Sequence, residues 1–172
     1  WGSDYAANMQ RLQSLAARTG QAVLLYNGQP AAACYHAISS GHTEASQNVW
    51  GGQLPYLCGV DSAWDKFADG YEVTIQYSAE QVRTALEELG LTPDDSPESW
   101  VGASTWDKAG YVRTLELCGQ MVSGLEVRKA LDLRSTCFAI AWRGGQFVIT
   151  TRGYGHGVGL SQYGAKAMAE GG

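Results

Sequence analysis

No stretch of about 18 consecutive apolar residues occurs in this sequence, so it holds no helical membrane span. Basic residues are in the minority: 12 Lys and Arg stand against 17 Asp and Glu, a formal charge of −5. That balance argues against nucleic acid, or an anionic membrane surface, as the main partner. Charge of either sign is thin at 17%, whereas hydrophobic residues make up 45%, so the 172 residues suffice to close one proper core. Trp1-Gly-Ser-Asp-Tyr5 has neither the basic head nor the apolar run of a signal peptide. The sequence is therefore expected to be a processed or trimmed piece whose export signal lies upstream. No internal repeat is evident. Phenylalanine is rare, with three residues against six Trp and nine Tyr. The aromatics are thus weighted toward flat faces with a polar tip, which suits a sugar-binding surface and an ordinary core almost equally.

The four cysteines, Cys34, Cys58, Cys118 and Cys137, can pair in more than one way. Cys34 with Cys58, and Cys118 with Cys137, are the favoured disulfides because each links neighbouring segments; free thiols are the alternative, since a domain of this size needs no staples. Cys34, His36, His42 and Cys58 are zinc-ligand types, but their spacing is not that of a zinc site, and no metal is assigned to them.

Periodicity gives the elements. Residues 4–18 read as a helix with Met9, Leu12, Leu15 and Ala16 on one face, Asp4 as cap and Gly20 as stop. Residues 22–26 read as a strand, and Asn27-Gly28 as a type I′ hairpin turn returning through Pro30 to Tyr35. Residues 36–65 show little periodicity and read as a long ordered loop, a length that usually signals function. Residues 71–77 alternate like a strand. Ser78-Ala-Glu-Gln81 is a capping box for a helix with Val82, Leu86 and Leu89 inward and Gly90 at its end. Residues 91–110 read as a surface excursion, 111–118 as a strand, and Ser123-Gly-Leu-Glu126 as the start of a short helix ending near Leu133. Residues 138–142 and 146–151 form a hairpin, and 161–170 a last helix. The sum is α+β, a mostly antiparallel sheet with three or four helices and long ordered functional loops.

Two stretches carry the chemistry. In the first, Gly153, Gly155, Gly157, Gly159 and Gly164 interleave with Tyr154, His156, Ser161, Gln162 and Tyr163. Glycine at this density is kept where backbone must approach closely or turn with positive φ. Ser161 is not in a nucleophile elbow, because no glycine follows it two residues later. Nor does the stretch carry the Gly-Lys-Ser/Thr of a phosphate loop. The second is His36-Ala-Ile-Ser-Ser-Gly-His-Thr-Glu-Ala-Ser-Gln-Asn-Val-Trp50, where Glu44 is the one carboxylate. Glu44 is a candidate general acid or base if burial raises its pKa, and a hydrogen-bonded structural residue otherwise. Tyr56 and Trp64 can stack on sugar rings or pack a loop edge.

Together these residues resemble the stage II sporulation protein D family, which includes amidase enhancers of bacterial cell walls. Tyr35-His-Ala-Ile-Ser-Ser-Gly-His-Thr-Glu44 with Val49-Trp-Gly-Gly-Gln-Leu-Pro-Tyr-Leu57 is similar to the family block His-Ala-Ser-Ser-Gly-Gly-x-Thr-Glu … Val-Trp-Gly-Gly … Leu-Pro-Tyr-Leu. Ser62-Ala-Trp-Asp65 is similar to Ser-Pro-Trp-Asp, and Leu131-Asp-Leu-Arg-Ser135 to Leu-Gly-Leu-Arg-Ser. Gly153-Tyr-Gly-His-Gly-Val-Gly-Leu-Ser-Gln-Tyr-Gly-Ala165 matches the family's glycine signature almost letter for letter.

The resemblance implies an extracytoplasmic protein of the cell wall, or of the space between mother-cell and forespore membranes, anchored through a segment upstream of these residues. It implies a lytic transglycosylase that cuts peptidoglycan glycan strands to 1,6-anhydro ends during engulfment, with a cell-wall amidase as partner. The alternative is a non-catalytic glycan-binding activator of such an amidase. His36, Ser39, Ser40, His42, Thr43, Glu44, Trp50, Tyr56, Trp64, Tyr154, His156, Ser161, Gln162 and Tyr163 would contact the glycan. The family's catalytic Glu lies in a Glu-Met-Pro motif absent from this sequence, as do the residues that bind zinc in some members. The family's continuation past the last helix is also missing. Residues 1–172 are therefore expected to be one domain of a longer protein, inactive alone, with no cofactor in this piece and Glu44 as a weak stand-in acid. The His36–Glu44 and Tyr154–Tyr163 loops are expected to meet across one cleft.

Overall fold

A computed structural model describes residues 2–20 and 22–171; Trp1 and Gly172, both used in the sequence reading, lie outside the described residues with Gln21. The chain divides into two compact units, Trp1–Ala33 and Cys34–Gly172.

In the first unit, α1 (Tyr5–Thr19) follows a 3-10 turn at Gly2–Asp4 and stops at Gly20, whose φ of 60° is the left-handed conformation that ends helices. The expected Asp4 cap makes no side-chain hydrogen bond. The strand over 22–26 narrows to β1 (Leu25–Tyr26), which pairs antiparallel with β2 (Gln29–Pro30). Asn27 and Gly28 both have positive φ, as a type I′ turn requires. No residue of α1 is buried.

The second unit opens with β3 (Tyr35–His36) and α2 (Ser46–Trp50), then a 3-10 turn at Ala63–Phe67. Its core lies between two three-stranded sheets and two helices. One sheet has the order β4–β9–β8 (Glu72–Ser78, Gln146–Arg152, Phe138–Arg143), all antiparallel. The other is a meander of β5 (Val101–Trp106), β6 (Val112–Leu117) and β7 (Gln120–Ser123). The helices α3 (Ala79–Glu88) and α4 (Gly124–Ala130) each start on a complete capping box, at Ser78/Gln81 and Ser123/Glu126. Val82, Leu86, Trp100, Leu115, Leu117, Val127, Phe147 and Ile149 are all buried in one cluster. Trp100 stacks on Phe147 at 5.7 Å and gives its indole N–H to Asp94 Oδ1 at 2.9 Å, so its polar tip is satisfied as its face is buried. Each large apolar side chain so buried contributes about 1.5–3 kcal/mol.

The α+β class stands, with five α-helices among the described residues rather than three or four; the extra one, α2, falls inside the segment read as loop. The excursion over 91–110 contains β5. This strand hides its alternation, because two register shifts interrupt its pairing with β6 and most of it faces solvent. The unit closes with β10 (Leu160–Ser161) and α5 (Gln162–Glu170). β10 pairs with β3 in parallel, the one parallel pairing among the described strands.

Candidate functional site

The two chemistry-bearing stretches meet as a laced seam. In the β3–β10 pair, Tyr35 opposes Leu160 and His36 opposes Ser161. Ile38 and Tyr154 exchange both backbone hydrogen bonds, at 3.1 and 2.7 Å, and the Glu44 amide donates to the Gly157 carbonyl at 2.7 Å. The Tyr163 amide donates to Ala37 O at 3.1 Å. This lacing explains the glycines. Gly159 has a φ of +79°, and a Cβ there would be driven into the Cys34 carbonyl. At Gly157, φ +81°, a Cβ would lie 2.8 Å from the Tyr111 hydroxyl and 3.2 Å from Glu44 Cβ. Only a residue without a side chain lets the strands come this close.

Three polar clusters fasten the seam from within. At the first, Asp65 is fully buried and accepts from the Ser39 amide at 3.0 Å, from the Ser39 hydroxyl, and from the Ser161 hydroxyl at 2.7 Å. One carboxylate therefore joins three separate motifs. Ser161 also accepts from the Gly164 amide at 3.2 Å, capping α5. At the second, Tyr111 accepts from the Ser40 amide at 3.2 Å and donates to His42 O at 3.1 Å. Burial pushes its phenol up to about 12. At the third, Arg113 donates to Glu44 Oε2 at 2.7 Å and also to Asp107. The other Glu44 oxygen accepts from the Ala45 amide at 2.8 Å and Asn48 Nδ2 at 2.7 Å. Burial, with the Asp107 carboxyl beside it, raises the Glu44 pKa.

A row of rings lies alongside. His36 is buried, its Nδ1 3.2 Å from Val158 O, and its Nε2 has no hydrogen-bond partner among the described residues. His156 lies 5.8 Å away, takes the Val158 amide proton on Nδ1 at 3.1 Å, and is covered by Trp50 at 5.1 Å. Burial lowers the pKa of both imidazoles. A neutral His36 that donates from Nδ1 leaves Nε2 as a bare acceptor.

The expected contact residues therefore divide. His36, Ser39, Ser40, Thr43, Glu44 and Ser161 are buried and bonded into the seam where the two loops meet. His42 is half-buried, with Nδ1 on Thr43 O at 2.7 Å. His156 and Tyr56 are half-buried, while Trp50, Trp64, Tyr154, Gln162 and Tyr163 reach solvent. The Arg134 guanidinium lies over the Tyr154 ring at 4.4 Å. A cavity of about 360 Å³ adjoins Trp64 and Tyr163, and a broader groove of about 840 Å³ runs past Ser40, Tyr71, Trp106 and Arg152.

The favoured disulfides are corrected: all four cysteines are free. Cys118 sits at the β6–β7 turn beside Asp94 and Ser99, whereas Cys137 faces Gly110 and Tyr71 in the broad groove. Closeness along the chain does not bring those thiols into one environment. Burial pushes the Cys137 thiol up to about 11. Asp65, Asp107, Tyr111 and Arg113 escaped the sequence reading of the site. Asp65 was visible as the last letter of Ser62-Ala-Trp-Asp65, but the others come from a strand and its approach, which carry no local motif.

No protein-family model matches the chain. Stage II sporulation protein D of Bacillus amyloliquefaciens is 38% identical over 99% of this chain and 48% of its own length. Over nearly its whole length this chain is similar to stage II sporulation protein D. The protein of that name from Bacillus subtilis is 36% identical over the same shares. The amidase enhancer of Bacillus subtilis is 26% identical over 87% of this chain and 28% of its own length. The chain thus spans about half the length of the sporulation relatives it matches.

Proposed function

We propose that the protein to which this domain belongs is a peptidoglycan lytic transglycosylase working outside the cytoplasm during sporulation, with a cell-wall amidase as partner. The similarity to stage II sporulation protein D supports the cell-wall role in sporulation. The observation that carries the reading is the laced seam: its burial of every serine and threonine hydroxyl of the two motifs, and of the Glu44 carboxylate, leaves a rigid support that presents Trp50, Tyr154 and His156 as a partly open ring-rich edge. Rings with polar tips on a rigid frame suit an extended sugar chain, whose CH faces stack and whose hydroxyls need hydrogen bonds.

The chemistry needs one carboxylic acid. Its proton goes to the glycosidic oxygen as the C1–O bond breaks. The 6-hydroxyl oxygen of the same sugar then closes on C1 and gives its proton back to the carboxylate, so no water is consumed and no second carboxylate is required. Glu44 is poorly placed for this step: its side chain is 4% exposed and both oxygens are engaged. It acts instead as a positioning residue, holding Arg113 and Asn48 under the ring edge, and the acid comes from the rest of the protein. The full-length protein incubated with purified sacculi is expected to release 1,6-anhydro products. Stimulation of an added amidase with no anhydro product would overturn the catalytic reading in favour of the activator, the role that the amidase enhancer's name suggests.

A further inference from the structure

Away from the ring edge, two motifs supply opposite walls of one cavity. Trp64 and Phe67 come from the 3-10 turn at Ala63–Phe67, and Tyr163 and Lys166 come from α5. Together with Asp69 and Glu170 they bound a space of about 360 Å³, within the ~300–1,000 Å³ typical of ligand pockets. The rings are exposed to an extent that a core would not leave: 57% for Trp64, 81% for Phe67 and 42% for Tyr163. Clustered exposed rings around a concavity mark a binding surface.

The walls are fixed before any ligand arrives. Asp65, one residue from Trp64, holds Ser161, two residues from Tyr163, at 2.7 Å. Gly164 lets α5 approach so closely that a Cβ there would stand 2.5 Å from Ser62 Oγ. A preorganised cradle loses little entropy on binding. Its rim carries both signs, with Lys166 3.8 Å from Glu170 and Asp69 nearby. An apolar ligand would gain nothing from that rim, and a polyanion would meet two carboxylates and a net charge of −5. A neutral ligand with apolar faces and hydrogen-bonding edges satisfies both the rings and the rim.

We infer that the Trp64–Phe67–Tyr163 cradle is a saccharide-binding subsite, separate from the Trp50–His156 edge, that takes one or two units of an amino-sugar chain by ring-face stacking. The identity of the sugar rests on the glycan reading above; the cradle itself rests on its own geometry.

The test titrates the chain with a β-1,4-linked N-acetylglucosamine tetramer, following indole resonances and tryptophan fluorescence. Saturable shifts are expected at the Trp64 indole. Phe67→Ala, a change at an exposed ring that leaves thermal unfolding unaltered, is expected to weaken binding roughly three- to tenfold, the worth of one aromatic stacking contact. Trp50→Ala is expected to leave the Trp64 shifts in place. Binding that is indifferent to Phe67→Ala and Trp64→Ala but lost in Trp50→Ala overturns the cradle while leaving the glycan reading intact. No saturable shift at Trp64 also overturns it, and release of anhydro products by the full-length protein still decides the catalytic reading separately. Shifts at Trp64 without anhydro products support the cradle and count against the transglycosylase.

Discussion

His36 carries the least satisfied polar atom of the seam, a buried Nε2 without a partner among the described residues. Its pKa and that of His156 are held below the ordinary imidazole value of 6.5, chiefly by burial. The sign follows directly. As pH falls below about 6.5, the unfolded chain takes up protons on both imidazoles before the folded one does. The stability these residues leave intact above that pH is therefore lost progressively toward the lower folded-state values. Urea unfolding of the chain is expected to show a falling midpoint from pH 7.5 to pH 5.5. His36→Asn keeps a donor for Val158 O and removes the titrating ring, so it is expected to flatten that slope. A slope that His36→Asn leaves unchanged would place the pH sensitivity elsewhere. Burying an imidazole with an idle nitrogen costs stability that an apolar residue would not.

At the scale of elements, the glycine stretch is where sequence and structure agree most closely, for a reason that can be measured. Gly159 combines positive φ with a carbonyl pressed against its Cα, so Gly159→Ala meets backbone strain and a clash together. It is expected to destabilise the chain by more than about 2 kcal/mol, whereas Gly144→Ala, also at positive φ but facing open space, costs only the strain of about 1 kcal/mol. Comparable melting losses for the two would remove the close approach from the account. Capping boxes were equally legible, because Ser78/Gln81 and Ser123/Glu126 act within four residues. β5 was not, since its two register shifts erase the alternation. The parallel β3–β10 pair was invisible as a pairing: two residues on each side carry no periodic signal, and their partners lie more than a hundred positions apart. The same holds for the site. Glycines and hydroxyls announced that two stretches would meet, but not that their polar groups would turn inward and be closed by Asp65, Tyr111 and Arg113.

At the scale of the whole second unit, the fold consists of a local core and a non-local seam. Phe147 and Ile149 belong to the core, built from strands and helices that follow one another between residues 72 and 152. The seam joins residues 35–65 to residues 153–164 across that core's entire length. Closing so long a loop carries an entropic cost that only the completed lacing offsets, whereas the core's hairpins close locally. The seam should therefore open at lower free energy than the core. A chain ending at Arg152 removes the acceptors of the Ile38 and Glu44 amides, Tyr154 O and Gly157 O, along with the Ser161 hydroxyl that meets Asp65. Hydrogen exchange of that truncated chain is expected to show Ile38 and Glu44 amides exchanging at nearly unprotected rates, with Phe147 and Ile149 amides still slow. Simultaneous loss of protection at all four would mean that seam and core fold as one cooperative unit. The signature motifs would then be part of what makes the domain fold, and the ring edge could not be altered without cost to the core beneath it.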